Sequence, residues 1–377
     1  MVNNDKPATR PDVVVVGAGV MGCAVALRLA QKGAAVTVIE RGIPGAGASS
    51  AAAGILGPQW ECEAPGALLD FGLRSRALYP AFAAELRELS GIDIGHARSG
   101  LLELGFDDAD QEALIARRAW QLARGLRADM LTADELRGLE PRLGPGVRMG
   151  LRYPDEGHVH ARSLARALSQ AAAVVGAKFV TGRYVRKVVT AGGRATGVEL
   201  DGETLSADVV VLCAGSWSSL VEGGQVPAPV VRPARGQMVA IETRPPFFRH
   251  VLVAHKRGYL VPRVDGIALA GSTLEMVGFR KEVTVGGLHD ILALARTIVP
   301  DLAEAPVVET WANFRPLSPD GLPIVGKTPV QGLLVATGHH RYGILLTPIT
   351  AQAITDLVTT GSSSIELWPF SVTRFVG

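Results

Sequence analysis

The run Val13-Val14-Val15-Val16-Gly17-Ala18-Gly19-Val20-Met21-Gly22 constrains this chain more than any other. Consecutive valines bounded by glycine read as a buried strand, 12–16. The apolar spacing after them predicts a helix over 20–32, and a second strand follows over 35–40. In that setting each glycine has a task. Gly17 allows the tight turn, Gly19 lets backbone N–H groups approach a pyrophosphate, and Gly22 permits close helix–strand contact, while the helix N-terminus adds a favourable dipole. Glu40 closes the second strand about 20 residues on, where a carboxylate accepts hydrogen bonds from ribose hydroxyls. Glycines alone would fit an empty turn. With strand, helix and acid together, the unit is expected to bind a dinucleotide.

A chain of 377 residues is long for one core and suits two domains of roughly 100–200 residues. With 47% hydrophobic and 20% charged residues and a net charge of +2, it is expected to be globular, with no nucleic-acid partner. Cys23, Cys62 and Cys213 show no CxxC spacing, which predicts buried free thiols and neither a disulfide nor a metal. The opening segment 1–11 is polar and lacks the charged-then-apolar layout of a secretory leader. No apolar run approaches the roughly 20 residues of a membrane span. The expectation is therefore a cytoplasmic protein with no transmembrane segment.

Beyond the first unit, a small-residue loop over 42–56 precedes predicted helices over 68–90 and 107–127, with a strand near 100–104 between them. A strand near 150–153, a helix over 161–176 and a meander of 184–190, 195–200 and 207–214 follow. Strands are expected to dominate 230–309, with runs at 236–242, 258–262 and 266–271 and a hairpin turn at Asp265-Gly266. The last third offers a strand over 333–337, a glycine-punctuated loop, and a helix capped by Thr347 with Pro348 in its first turn. No internal repeat or low-complexity linker divides the chain, so its domains are expected to be built from segments that leave and return.

The fingerprint alone fits NAD and FAD equally. A nicotinamide dehydrogenase would continue with further βα units. Here the unit is followed instead by the small-residue loop, a distant meander ending in VVVLCAGSW, and a C-terminal TGHHRYGILLTP. Three separated segments converging on one long cofactor favour FAD.

Beyond GAGVMG with Glu40, the chain carries SSAAAGILG over 49–57, GYLVPR over 258–263, WANFRPLSPDGLPIVG over 311–326 and GHHRYGILLTP over 338–348. In these motifs, spread over nearly its whole length, it resembles the D-amino-acid oxidase family of flavoenzymes, most closely the glycine-oxidising branch that feeds thiazole synthesis for thiamine. The resemblance implies an α/β fold: a Rossmann-like FAD-binding domain over 1–90, 145–225 and 312–377, interleaved with an antiparallel-sheet substrate domain over 91–144 and 226–311. It further implies that Val20, Met21, Glu40, Arg41, Ala48, Ser49, Ala53, Gly54 and Ile55 line non-covalent FAD. Val185 would touch the adenine through its backbone. Gly338, His339, His340, Arg341, Tyr342, Gly343, Ile344 and Leu345 would run along the flavin. One departure stands out: where the branch carries a histidine two residues before the active-site tyrosine, this chain has Arg257, which changes the expected charge at the pocket entrance.

A small amino acid must present its α hydrogen to the flavin, and its carboxylate is the simplest handle. A guanidinium fork grips a carboxylate through two parallel charge-assisted hydrogen bonds. Arg315, at a strand end stiffened by Pro316, matches the family's carboxylate-binding arginine. Tyr259 would add a hydroxyl donor, and Arg341 could face either substrate or cofactor. Adjacent His339 and His340 point opposite ways and lack a third ligand at metal spacing, and Asp320 in SPDGLP reads as a turn former. No acid or base is required if the amine arrives neutral, since positioning supplies most of the rate. The expected reaction is oxidative deamination of glycine or a similar amino acid, with molecular oxygen reduced to hydrogen peroxide, in a homo-oligomer. A D-amino-acid or imino-acid dehydrogenase passing electrons to a quinone is the alternative. A weakly catalytic flavin-bearing subunit and a plain NAD dehydrogenase fit the substrate motifs less well.

Overall fold

The computed structural model describes residues 12–375; the polar segment 1–11, on which the expectation of no leader rests, lies outside them. β1 (Val13–Val16), α1 (Val20–Gln31) and β2 (Val36–Glu40) form the expected unit. β1 lies between β2 and Val209–Leu212, parallel to both. The sheet extends to six strands, with Lys178–Thr181 beyond β2 and Leu333–Thr337 and Ile324–Lys327 at the other side. Only the last pairs antiparallel. Both faces of this sheet are covered. α1 packs with the helices Ala161–Val174 and Gly343–Thr359 in one apolar cluster. The other face meets a three-stranded antiparallel sheet of Lys187–Ala191, Arg194–Leu200 and Glu203–Ser206. Burial on two faces explains why β1 is an unbroken valine run and not an alternating one.

The second layer is an eight-stranded sheet whose order is Val307–Leu317, Arg232–Glu242, Ile267–Gly271, Gly258–Pro262, Val251–Ala254, Leu101–Gly105, Met149–Tyr153 and Asp129–Thr132. Its side chains alternate with period two. Val239, Ile241, Leu252 and Leu260 pack with the helix Val285–Ile298, whereas Met238, Val251, Val253 and Val261 join Tyr259 and Trp60 on the opposite side. The mixed α/β architecture is the one expected.

Where the sheets meet, side chains of the larger one take carbonyls from the small-residue loop. Trp311 Nε1 donates to Ala51 O at 3.0 Å and Asn313 Nδ2 to Gly47 O at 3.0 Å. Arg263, 6% exposed, donates to Val159 O at 2.7 Å and Ala53 O at 2.5 Å.

Three local expectations are corrected. The third strand of the meander is Glu203–Ser206, and Val209–Leu212 belongs to the parallel sheet, because its unbroken valines suit burial on both faces. Val285–Ile298 is a helix inside the stretch expected to be mostly strand, capped by Thr284, which accepts from Gly287 N. The last helix starts at Gly343, so Thr347 is no cap; it is buried in the helix and donates to Gly343 O at 2.8 Å. Pro348 cannot donate to Ile344 O, and that carbonyl instead accepts from Tyr79 OH.

The turn before α1 gives a sharp test. A Cβ on Gly22 would lie 1.8 Å from Gly17 O, whereas one on Gly33 meets nothing within 4 Å although its φ is +87°. Gly33→Ala is expected to lose only about 1–2 kcal/mol for a left-handed alanine. Gly22→Ala should lose roughly 3 kcal/mol or more, since backbone must move. Equal midpoints in urea unfolding of the two variants would contradict this account of the turn.

Candidate active site

One elongated cavity of about 850 Å³ runs from the α1 turn to the eight-stranded sheet. Gly17, Gly19, Val20, Met21, Glu40, Arg41, Ala48, Ser49, Ala53, Gly54, Ile55, Val185, Tyr259, Arg315, His339, His340, Arg341, Gly343 and Ile344 all line it. Gly22, Gly338, Tyr342 and Leu345 do not. Gly22 lies beneath the turn, Gly338 makes a left-handed turn at φ +67° against Ile324, Tyr342 precedes the last helix, and Leu345 is buried near Gly72.

The α1 end is built for an anion and a ribose. The first turn of α1 holds no acidic side chain, and the N-cap Gly19 supplies no capping group. Ser49 Oγ accepts from Val20 N at 3.0 Å, drawing the loop over the helix terminus. Glu40 Oε2 accepts from Ala18 N at 2.8 Å and Oε1 from Gly42 N at 2.9 Å, which fixes the carboxylate at the cavity wall with lone pairs to spare. Val185 is 4% exposed, and among the described residues neither its N–H nor its C=O pairs with other backbone. A buried edge of this kind calls for a partner. Arg41 stacks 3.6 Å above the Trp217 ring, and Trp217 stacks on Phe279. A glycine-rich cradle, a helix end without an acidic side chain, a fixed acid and a free backbone edge together fit FAD.

At the other end, the Arg315 guanidinium lies across Gly236, where a Cβ would sit 2.2 Å from it. Arg315 Nη2 donates to Ser272 Oγ at 2.6 Å and Nη1 to Thr273 O at 3.1 Å. Both partners are neutral. Among the described residues Tyr259 OH has only Met238 Sδ at 3.4 Å, a weak acceptor, and its ring stands edge-on to Trp60. Arg341 is differently placed, with Nε 2.5 Å from Glu61 Oε2. Burial pushes the Glu61 carboxyl up against the opposing pull of Arg341, Arg315 and Arg117, while Glu61 holds the Arg341 guanidinium above its ordinary value.

His339 donates to or accepts from Thr350 at 3.2 Å inside the core, and burial pushes it down to about 3. His340, in left-handed backbone at φ +46°, is also pushed down to about 3, first by burial and then by Arg315 and Arg341. Both rings are neutral at pH 7. Arg257 reaches the cavity as expected, yet Asp107 at 2.9 Å and Asp110 at 3.0 Å offset its charge. Asp320 accepts from Leu322 N and pairs with Arg374, as a turn former does.

Glu61, Trp60, Ser272 and Thr273 were not foreseen. Glu61 and Trp60 lie just past the motif at 49–57, on the one-turn helix Pro58–Glu61, and no local pattern marks them. That helix is fixed by a distant acid: Glu156 Oε1 accepts from Gln59 N at 2.5 Å and Trp60 N at 3.3 Å. The three cysteines are free and buried, and among the described residues no helix is long and apolar enough to cross a membrane.

Burial pushes Glu156 up to about 8, against the pull of Arg76 and the two backbone donors. A carboxyl raised in the folded state stabilises below its unfolded value of about 4.3 and loses that contribution as pH rises towards 8. Glu156→Gln keeps an acceptor for both N–H groups and never ionises. Relative to wild type it should therefore gain stability as pH rises from about 4 to 8, by at most roughly 1.4 kcal/mol for each step of one in pH. A stability difference that stays flat across that window would refute the assignment.

The family described as "DAO: FAD dependent oxidoreductase" matches residues 12–357. The chain is 38% identical to the glycine oxidase of Geobacillus kaustophilus (strain HTA426) over 373 residues, 98% of each chain. It is 36% identical over 374 residues to the bifunctional protein ThiO/ThiG of Synechocystis sp. (strain ATCC 27184 / PCC 6803 / Kazusa), covering 98% of this chain and 54% of that one. The crystal structure of glycine oxidase from Geobacillus kaustophilus matches with a TM-score of 0.93 at 36% identity, over 98% of this chain and 100% of that one. With its turn, fixed acid and long cavity in place, this chain belongs to the family of FAD-dependent oxidoreductases, in its glycine oxidase branch.

Proposed function

We propose that the protein catalyses oxidative deamination of glycine or another small amino acid, and that Arg315 binds the substrate carboxylate. The carrying observation is a difference in counter-charge between two arginines on one cavity. Arg315 has neutral partners only, and among the described residues no carboxylate lies within ion-pair distance of it, whereas Arg341 is matched by Glu61. A partly buried guanidinium with an unmatched charge is a receptor for an anion. Ser272 Oγ and Thr273 O hold its plane, and Gly236 leaves it room.

Tyr259 OH would exchange its weak sulfur contact for a carboxylate oxygen, fixing the second coordinate of the substrate. Gly17, Gly19, Val20 and Ser49 would hold the FAD pyrophosphate, Glu40 the ribose, Val185 the adenine edge, and the run from His339 to Ile344 the flavin side. Bound there, FAD would supply the acceptor for a hydride from the substrate's α carbon and the route for its electrons to oxygen, so that glycine, water and oxygen would give glyoxylate, ammonia and hydrogen peroxide. The residues here supply orientation. Neutral His339 and His340 and the offset Arg257 add no further charge near the carboxylate, so one guanidinium decides its position. The pairing of Arg257 with Asp107 and Asp110 leaves little net charge at the pocket entrance. The resemblance to the fused Synechocystis protein supports a role in supplying the thiazole of thiamine.

The test is anaerobic mixing of the flavin-loaded protein with glycine, sarcosine, D-alanine and D-proline, with flavin absorbance followed, and then admission of oxygen with peroxide measured. Bleaching by a small amino acid and one peroxide per turnover are expected. Arg315→Leu should lower kcat/KM by about 10³-fold or more, the effect of losing a charged, hydrogen-bonded anchor, and Tyr259→Phe by about 10- to 100-fold, one hydrogen bond to a charged acceptor. Undiminished turnover in Arg315→Leu, or peroxide-free turnover, would overturn the corresponding half of the proposal.

A further inference from the structure

One carboxylate needs one guanidinium fork, and Arg315 provides it. A second guanidinium nevertheless faces the same cavity. The Arg341 side chain is 45% exposed into that space, and the carboxylate beside it, Glu61, is only 8% exposed. Glu61 cannot readily turn away. Its one-turn helix is held by Glu156 through Gln59 N and Trp60 N, and Trp60 O accepts from Arg117. Arg341 meets the same turn twice: its Nε stands 2.5 Å from Glu61 Oε2 as an ion pair, and its Nη2 donates to Glu61 O at 3.3 Å. The other cations on the cavity wall do not change the balance at this end. Arg257 is matched by Asp107 and Asp110, and Lys256 lies 3.7 Å from Glu63. Lys281 stands two residues from Phe279, whose stacking on Trp217 places it at the end marked by Arg41.

We propose that Glu61 is a specificity-determining residue: by matching the charge of Arg341 it restricts the site to amino acids with one carboxylate and rejects those with two. The proposal rests on Arg315 as the clamp for the α-carboxylate. A dicarboxylic amino acid bound there would carry its second anion towards Arg341, the next guanidinium on the wall. There it would meet a fixed carboxylate already holding that guanidinium, and a like charge placed against the wrong ligand is how a site discriminates without enlarging or narrowing its pocket. Removing the negative charge while keeping the shape leaves Arg341 as a second anion receptor.

The probe is iminodiacetate, which is glycine with a second carboxylate on its nitrogen, compared with glycine itself in anaerobic flavin bleaching. D-aspartate against D-alanine serves as a second pair. Wild type should favour glycine over iminodiacetate by about 100-fold or more in the ratio of bleaching rate to dissociation constant. Glu61→Gln should narrow that preference at least about tenfold, chiefly through tighter binding of the dicarboxylate. Glu61→Asp, which keeps the charge, should retain most of the preference. Equal use of the two compounds by wild type, or an unchanged preference in Glu61→Gln, overturns the proposal. If Glu61→Gln does not hold flavin, wild type alone decides through the shift of its oxidised flavin spectrum on titration with acetate and malonate. Weaker binding of malonate supports the proposal and binding as tight as acetate overturns it. Absence of bleaching by any amine in wild type would count against the parent reading, and the acetate–malonate comparison would still decide this one.

Discussion

A single buried guanidinium ties the eight-stranded sheet to the small-residue loop that walls the cavity. Arg263 leaves the end of strand Gly258–Pro262 and donates to Val159 O and Ala53 O, carbonyls of the segments on either side of Gly54. Gly54 has φ +82°, and a Cβ there would strike Val159 O at 2.0 Å, so the loop approaches that carbonyl only because the side chain is absent. Burial pushes the Arg263 guanidinium down to about 10, which leaves it charged at any physiological pH. A buried charge held by two carbonyl dipoles costs free energy to place and is severe to remove. Through it, Tyr259, four residues back on the same strand, is held in register with the loop that covers α1. The α1 end and the Tyr259 end of the cavity are thus parts of one frame.

Within that frame, function depends on which charges are left unmatched. The cavity wall carries several arginines, and composition cannot rank them. Among the described residues Arg257 has two carboxylates, Arg341 has one, Arg41 has an aromatic face and Arg315 has only a hydroxyl and a carbonyl. An exposed ion pair contributes little and attracts little, while an unmatched guanidinium in a half-enclosed site keeps most of its field for a ligand. Neutral histidines beside it sharpen the contrast, because burial has removed the charge they would otherwise add.

The sequence is most informative where one residue type has one mechanical reason. The valine run, the spaced glycines and Glu40 each follow from local geometry, and their placement needs no tertiary knowledge. The final helix begins four residues before its sequence signal, because Thr347-Pro348 is a legitimate start and only distant Tyr79 makes the earlier one possible by supplying the missing donor. Val209–Leu212 reads as part of the meander because a short apolar strand does not reveal its partners. Glu61 leaves no local mark at all. Its significance comes from Glu156, almost a hundred residues away in the chain, and from Arg341, still further, so no window along the sequence contains the pattern.

That displaced helix start also places the chemistry. Had the helix begun at Thr347, the loop carrying His340 and Arg341 would be longer and free to move. Instead Tyr342 precedes the helix directly, and Ser75 donates to Leu345 O at 2.6 Å beside the Tyr79 contact with Ile344 O. Two hydroxyls on the helix Ala67–Ser90 therefore reach carbonyls of the first turn, Tyr79 taking the one that Pro348 leaves open and Ser75 adding a second bond at Leu345 O, and they pin the helix at its N-terminal end. His340 N donates to Pro316 O at 2.9 Å, so the same short loop is tied to the residue after Arg315. The proline that disrupts the helical ladder is thus the reason the ladder is anchored from outside, and the anchoring sets the distance between Arg315 and Arg341 on the cavity wall.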